Sequence, residues 1–272
     1  MLGPRFEPDA NKMSFLDAFA TKGFLTARRL IDPELIAMVH EEYVRQYGDL
    51  RCQDLPAHHS VGERRVMFPI KITGPLLHPA IYAHPLLGGI LGGLLGHDFL
   101  IDSFGCVAAF AGAPQQQVHR DHPALFPGTE SCLAVPTFAV TVVIPLLDLT
   151  PVTGTTEAYA GSHLATQADN EEILQREPER PYLNMGDCLV MDYRLLHSGM
   201  PNNSQQDRPL LYIVYARHWF IDMVNFRNLQ RINLDTADAL TIPRSARRLF
   251  ARKAPNSTPD PTVALYCKGA ST

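Results

Sequence analysis

Apolar positions change their period part-way along the chain. Up to about residue 100 they recur at helical spacing, and Leu35, Ile36, Val39 and Tyr43 form one stripe. Asp32 stands where an N-cap belongs and Pro33 at the first helical position. The apolar run Leu86 to Leu95 carries paired glycines, Gly88-Gly89 and Gly92-Gly93, and predicts a buried helix. Lys71-Ile-Thr-Gly-Pro75 and His78-Pro79 break the pattern, so residues 51–80 are expected to form a loop region over the core, with a lid as one role. From residue 100 the texture shifts to short β-branched runs split by turn residues, at 100–110, 135–147, 189–193 and 210–215. Short strands with irregular connections point to a sandwich or jelly roll. Residues 168–180 are charged and glutamate-rich and predict an exposed helical insert. The Asn, Ser, Thr and Pro residues after Ala254 predict a tail that is flexible or docks on a partner.

Length and charge narrow the setting. A chain of 272 residues can bury one large core. The expected arrangement is a single domain: 1–100 mainly helical support and lid, 101–222 the jelly-roll core, 223–272 a C-terminal segment. The net charge of −4 without a lysine-arginine block argues against nucleic acid. Cys52, Cys106, Cys132, Cys188 and Cys267 are odd in number and show no paired spacing, which fits reduced thiols in the cytoplasm. No signal-like N-terminus and no apolar stretch of about 18 residues is seen, so neither secretion nor a membrane span is expected. The Gly-x-x-Gly spacing at Gly89 and Gly92 lacks the preceding β-branched strand that a nucleotide loop requires. A homodimer is compatible with all of this.

One constellation names a chemistry. In a strand, residues i and i+2 share a face, so His119 and Asp121 can aim an imidazole and a carboxylate at one point, with Arg120 facing away. A second histidine, His197, ends another apolar run much later in the chain. Two imidazoles and one carboxylate leave metal positions open, as in non-haem Fe(II) oxygenases, whereas structural zinc takes a closed tetrahedral set. With 11 histidines in the chain, a His-x-Asp triplet alone is weak, and taken by itself a solvated strand end explains it better. Arg208 changes the balance. It lies one hairpin crossing beyond His197 at the head of an apolar run, where a guanidinium can bind the carboxylate of an acidic co-substrate. An ordinary surface arginine is the alternative.

Other residues compete for attention. His122 has the opposite parity to His119 and reads as a support for the ligands, a substrate-facing group or a structural histidine. His58-His59 reads as a solvated loop pair. His163 reads as a turn histidine bonding backbone, Asp192 as an acceptor supporting His197 or a plain hydrogen bond at the strand, and Trp219 as core or pocket wall.

The pattern His119-Arg-Asp121, His197 and Arg208 resembles the phytanoyl-CoA dioxygenase family of Fe(II)- and 2-oxoglutarate-dependent oxygenases. Gln116 is similar to a glutamine that contacts 2-oxoglutarate in members tailoring natural products. Thr153-Gly-Thr-Thr156 followed by Gly161-Ser162-His163 resembles an Asn-Gly-x-Thr segment running into Pro-Gly-Ser-His, although Thr153 and Ala160 replace the Asn and the Pro. Gly186-Asp187 through His197-Ser-Gly199 resembles the strand carrying the distal histidine, and Arg217-His-Trp219-Phe220 the segment after the arginine strand. The resemblance spans roughly residues 14–250.

It implies a mainly β fold, a double-stranded β-helix (jelly roll, cupin-like) with N-terminal helices packed on the sheet. It also implies Fe(II) on His119, Asp121 and His197, 2-oxoglutarate on Arg208 with Gln116 and Thr156, and O2 as oxidant. Related halogenating members put a small residue in place of the carboxylate, so Asp121 argues against halogenation. The implied activity is oxidation of a small organic molecule, most simply hydroxylation of a secondary metabolite, with desaturation, ring closure and rearrangement using the same residues. Two other classes remain: a non-oxidative jelly-roll isomerase or hydrolase holding zinc or manganese, and a non-catalytic jelly-roll binding protein.

Overall fold

A computed structural model describes residues 5–6, 15–129, 134–226 and 230–253. The N-terminal helical stripe folds as expected. Helix α2, which follows α1 (Phe15–Lys22), spans Pro33–Tyr47 and buries Leu35, Ile36, Val39 and Tyr43. Asp32 caps it by accepting from the Glu34 N–H at 3.0 Å, and Pro33 fills a position whose N–H would otherwise be unpaired. The glycine-paired run becomes α4 (Pro85–Leu95), after the short α3 (Pro79–Tyr82). One face of α4 buries Leu87, Ile90, Leu91 and Leu95, while Leu86 stays exposed. No helix among the described residues is long and apolar enough to cross a membrane.

The four predicted strands appear as β5 (Leu100–Ala109), β6 (Ala139–Pro145), β8 (Cys188–Asp192) and β10 (Arg208–Ala216). They lie in one antiparallel sheet with the order β1-β2-β8-β6-β10-β5-β4-β3. Here β1 is Arg5–Phe6, β2 Phe24–Arg28, β3 Ser60–Gly62 and β4 Arg65–Phe68. Both faces of the sheet are covered. Val140, Val142, Ile144, Leu211, Ile213 and Tyr215 pack against the helices, whereas Val143, Leu189, Met191 and Leu210 pack on the other face. Double coverage explains why these strands read as nearly unbroken apolar runs.

The N-terminal part is less purely helical than its periodicity predicts. β2 begins after Gly23, whose φ of 81° turns the chain out of α1, and it pairs with β8. Nor is residues 51–80 a loop lying over the core. Its alternating Arg65-Val-Met-Phe68 hydrogen-bonds to the open edge of β5, and β3 folds back on it as a hairpin. His59 in this region is fully buried, with Nδ1 at 2.8 Å from Met67 O, rather than solvated as expected, while His58 is exposed.

A second, smaller sheet pairs β7 (Thr156–Ala158) with β9 (His197–Gly199). Residues 116–119 add to its other edge through Gln116 N–H to Gly199 O (2.9 Å) and reciprocal bonds between His119 and His197. Ala158 of this sheet shares a buried cluster with Val143, Leu189 and Leu210 of the large one, so the two sheets form the expected jelly roll. The insert has one short helix, Asn170–Ile173, with only Ile173 buried. Cys106 and Cys188 are buried free thiols and Cys52 is half-buried. Cys132, Cys267 and the tail after Ala254 lie outside the described residues.

Candidate active site

The two histidines meet because they face each other across the small sheet. His119 N–H donates to His197 O at 3.0 Å and His197 N–H to His119 O at 2.9 Å. Directly opposed residues send their side chains to the same face, and the imidazole centroids lie 4.5 Å apart. In each ring Nδ1 is turned to the carbonyl two residues earlier: Gln117 O at 2.9 Å for His119 and Leu195 O at 3.0 Å for His197. A carbonyl only accepts, so each Nδ1 presents its N–H there, and Nε2 is the nitrogen left for a metal. Both Nε2 atoms face Asp121 Oδ1, which is 3.5 Å from His197 Nε2 and 4.0 Å from His119 Nε2.

One ligand atom from each of the three residues lies within 4.8 Å of the others. Ligands about 2.1 Å from a metal and at right angles sit about 3 Å apart, so shifts of about 1 Å at the side-chain ends close the set on an ion. Burial, and then the neighbouring His197, lower the His119 pKa, which favours the neutral ring that a metal requires. The carboxylate is held from the large sheet. Thr141 of β6 donates to Asp121 Oδ2 at 2.9 Å, and the Tyr212 hydroxyl of β10 lies 3.2 and 3.1 Å from the two oxygens. Burial, followed by Asp121, pushes the Tyr212 hydroxyl well above its usual pKa, so it remains a donor. Asn225 fixes the backbone with a 2.7 Å bond to Asp121 O.

Arg208 opens β10 and is only 1% exposed, which removes the surface-arginine alternative. Its Nη1 donates to Thr153 O at 2.9 Å and Met200 O at 3.2 Å, while Nε has no partner among the described residues. Room for it comes from Gly154, where an added Cβ would stand 2.5 Å from Arg208 Nη1. A buried guanidinium with an unused donor fits an incoming carboxylate. Gln116, Thr156, Arg208 and the three ligand residues line one cavity of about 410 Å³. The Gln116 amide is already engaged with Val61 O (2.8 Å) and Gly199 N–H (3.1 Å), so it also ties the β3 edge to β9. Thr156 sits opposite Gly199 in β7 and faces the cavity.

The competing residues fall away from the ligand set. His122 is buried among Phe138, Tyr193 and Phe220. His163 Nε2 bonds Ala20 O at 3.1 Å, and Asp192 accepts from Thr137 and Arg194. Trp219 is half exposed, neither core nor cavity wall. Arg120 does face away, pinning Arg194 O, Asn170 and Ser162 O. The supports Thr141, Tyr212 and Asn225, and a second buried arginine, Arg65, escaped the sequence reading. Period-2 parity within β10 was a usable signal for Tyr212, because Arg208, Leu210 and Tyr212 share a face.

A jelly roll that gathers two imidazoles, one carboxylate and a buried arginine around a single cavity defines a class of metal-dependent enzymes. A model of the phytanoyl-CoA dioxygenase (PhyH) family matches residues 19–210, and the chain belongs to that family. It is an enzyme of the Fe(II)/2-oxoglutarate-dependent oxygenase type, and the three ligand residues fit that class's iron-binding triad.

Solved structures of the same fold include SnoN, the non-haem α-ketoglutarate-dependent epimerase of nogalamycin biosynthesis, at 16% identity and a TM-score of 0.57 over 74% of this chain and 81% of that one. AviO1 from Streptomyces viridochromogenes Tue57 is 20% identical with a TM-score of 0.57 over 75% of this chain and 94% of its own. HygX from Streptomyces hygroscopicus, solved with nickel and 2-oxoglutarate, is 16% identical with a TM-score of 0.58 over 75% and 86%.

Proposed function

We propose that this enzyme oxidises an aliphatic C–H bond of a small organic molecule, a secondary metabolite, with hydroxylation as the outcome. The observation that carries the reading is the convergence of two imidazole Nε2 atoms, the Asp121 carboxylate and the buried, incompletely paired Arg208 on one cavity. His119, Asp121 and His197 would hold Fe(II). Arg208 would bind the far carboxylate of 2-oxoglutarate, with the Thr156 hydroxyl and the remaining Gln116 N–H beside it. When bound, iron and 2-oxoglutarate supply the oxidising power: one O2 is consumed, one oxygen atom enters the substrate and the other enters succinate, with CO2 released.

The chain's own residues do three things. Thr141 and Tyr212 hold the carboxylate in place. Arg208 orients the co-substrate. The apolar wall formed by Met67, Val107, Val214 and Phe226 excludes water and receives an apolar part of the substrate, with Asn225 as a polar group beside it. Known relatives in fold support the cofactor set, since SnoN has been solved with Fe3+, α-ketoglutarate and nogalamycin RO. That likeness also favours a second outcome from the same residues, 2-oxoglutarate-dependent epimerisation. A non-oxidative isomerase or hydrolase gives Arg208 no task.

The test is turnover of 2-oxoglutarate to succinate with Fe(II) in the presence of candidate substrates. His119→Ala, Asp121→Ala and His197→Ala should abolish it, and Arg208→Ala should chiefly raise the 2-oxoglutarate requirement. Unchanged succinate yield in the ligand variants removes the assignment.

A further inference from the structure

Of the three ligand residues, Asp121 is the one whose main chain the sheets do not hold. The ladder of the small sheet ends at the reciprocal bonds of His119 with His197, and no backbone–backbone bond reaches Asp121 among the described residues. Its carbonyl is held instead by a side chain 104 residues further on, through the 2.7 Å bond from Asn225 Nδ2.

Asn225 is in turn held by Asp222. This carboxylate is fully buried and takes four donors. The Tyr193 hydroxyl at 2.6 Å and Asn225 Nδ2 at 2.8 Å reach Oδ2, and the N–H groups of Val224 and Asn225, each at 2.9 Å, reach Oδ1. A carboxylate offers about four acceptor sites, so Asp222 is saturated. Asp121 O and Asp222 Oδ2 only accept, so the Asn225 amide has one workable orientation and uses both its protons on them.

The same hub reaches the wall of the cavity, because Tyr193 and Phe226 both line it. Phe226 lies under the Arg231 guanidinium, 5.3 Å from the ring centroid. Arg231 pairs with the buried Asp102 of β5 at 2.7 Å and also donates to Asp222 O. Between these braces Met223 and Val224 are 54% and 57% exposed, so hydrogen bonds rather than packing fix the segment 222–226. Its bond to the metal ligand runs through Asn225.

We propose that Asp222, acting through Asn225, is a positioning residue for the metal ligand Asp121, and that metal binding is thereby coupled to the order of the wall segment 222–226. The inference rests on the metal reading of the preceding section. Linkage is reciprocal: what the segment adds to metal affinity, the metal adds to the stability of the segment. A purely structural hub would hold the turn and Tyr193 without responding to the metal.

The experiment measures Mn(II) binding by calorimetry, urea unfolding of the metal-free protein, and hydrogen exchange by mass spectrometry over peptides covering 222–226 with and without Mn(II). Asn225→Ala should weaken Mn(II) binding about 10-fold, the lower end of the loss for a residue behind a metal ligand. Asp222→Asn is nearly isosteric. With its oxygen kept on the two backbone N–H groups, its amide nitrogen opposes Asn225 Nδ2, so the link is lost and a similar weakening should follow. The double variant shows how Asp222 acts: through Asn225, it should bind within about 2-fold of the weaker single variant, whereas independent effects multiply to about 100-fold. Mn(II) should slow exchange of the segment in the wild type and not in Asn225→Ala.

Unchanged Mn(II) affinity in Asn225→Ala overturns the proposal, as does a multiplied loss in the double variant or exchange indifferent to Mn(II) in the wild type. Asn225 is exposed, so the metal-free urea midpoint of Asn225→Ala should stay close to that of wild type. A lowered midpoint alongside the lost affinity assigns the effect to the fold and overturns the positioning role. Should Asp222→Asn not fold, Asn225→Ala and the exchange measurement decide. Wild-type protein that binds no Mn(II) removes the metal reading itself and this inference with it, and a wild type that binds while both single variants are indifferent removes only this inference.

Discussion

The cradle that admits Arg208 can be tested by filling it. Gly154 has φ +77°, and an alanine there would place Cβ 2.3 Å from Pro201 O, 2.5 Å from Arg208 Nη1 and 3.2 Å from Met200 Cβ. The left-handed backbone costs a non-glycine residue about 1–2 kcal/mol, and overpacking a tight site adds about 1–3 kcal/mol. Gly154→Ala should therefore lose about 2–5 kcal/mol. Gly128 is the matched control. Its φ is +76° but no atom of the described residues lies within 4 Å of its added Cβ, so Gly128→Ala should lose only the backbone share, about 1–2 kcal/mol. Urea unfolding followed by circular dichroism measures both, and in thermal unfolding each kcal/mol corresponds to about 2–4 °C. The displaced guanidinium should also weaken 2-oxoglutarate binding in the Gly154 variant alone. Equal losses in the two variants, within about 0.5 kcal/mol, would refute the tight cradle.

Further outcomes follow from the support of the metal and of the helical layer. Tyr212→Phe removes the hydroxyl that contacts both Asp121 oxygens and should weaken Mn(II) binding about 10-fold or more, read by titration; unchanged affinity would show the contact to be idle. Asp32→Ala removes the cap of α2 and should lower unfolding free energy by about 1 kcal/mol with the metal site unaffected, read by urea denaturation alongside the same Mn(II) titration.

What could be read in the sequence, and what could not, divides along a physical line. β5, β6, β8 and β10 are buried on both faces, so each leaves a run of β-branched and apolar residues, and α2 leaves a stripe with a cap. β7 and β9 are only three residues each and carry Thr156, Glu157, His197 and Gly199, whose composition speaks of a site rather than a strand. β2 and β4 sit in a stretch dominated by helical spacing, and only the pairing of their backbones with β8 and β5 reveals them.

The same line runs through the site. His119 and Asp121 were legible because their relation is local, two residues apart on one face. His197 and Arg208 became legible through order and resemblance. Arg65 did not, because its meeting with Arg208 depends on the register of two strands against Ala109, and no local pattern encodes that register. Tyr212 shows the intermediate case, since its parity with Arg208 is local whereas its contact with Asp121 is not.

The most direct test of the central claim is anaerobic. Fe(II) is added to the protein, then 2-oxoglutarate, and the visible spectrum is recorded. A weak metal-to-ligand charge-transfer band should grow with 2-oxoglutarate in the wild type and be missing from His119→Ala and Asp121→Ala. In Arg208→Ala it should require more 2-oxoglutarate. No band in the wild type, with Fe(II) shown to be bound, would contradict the account.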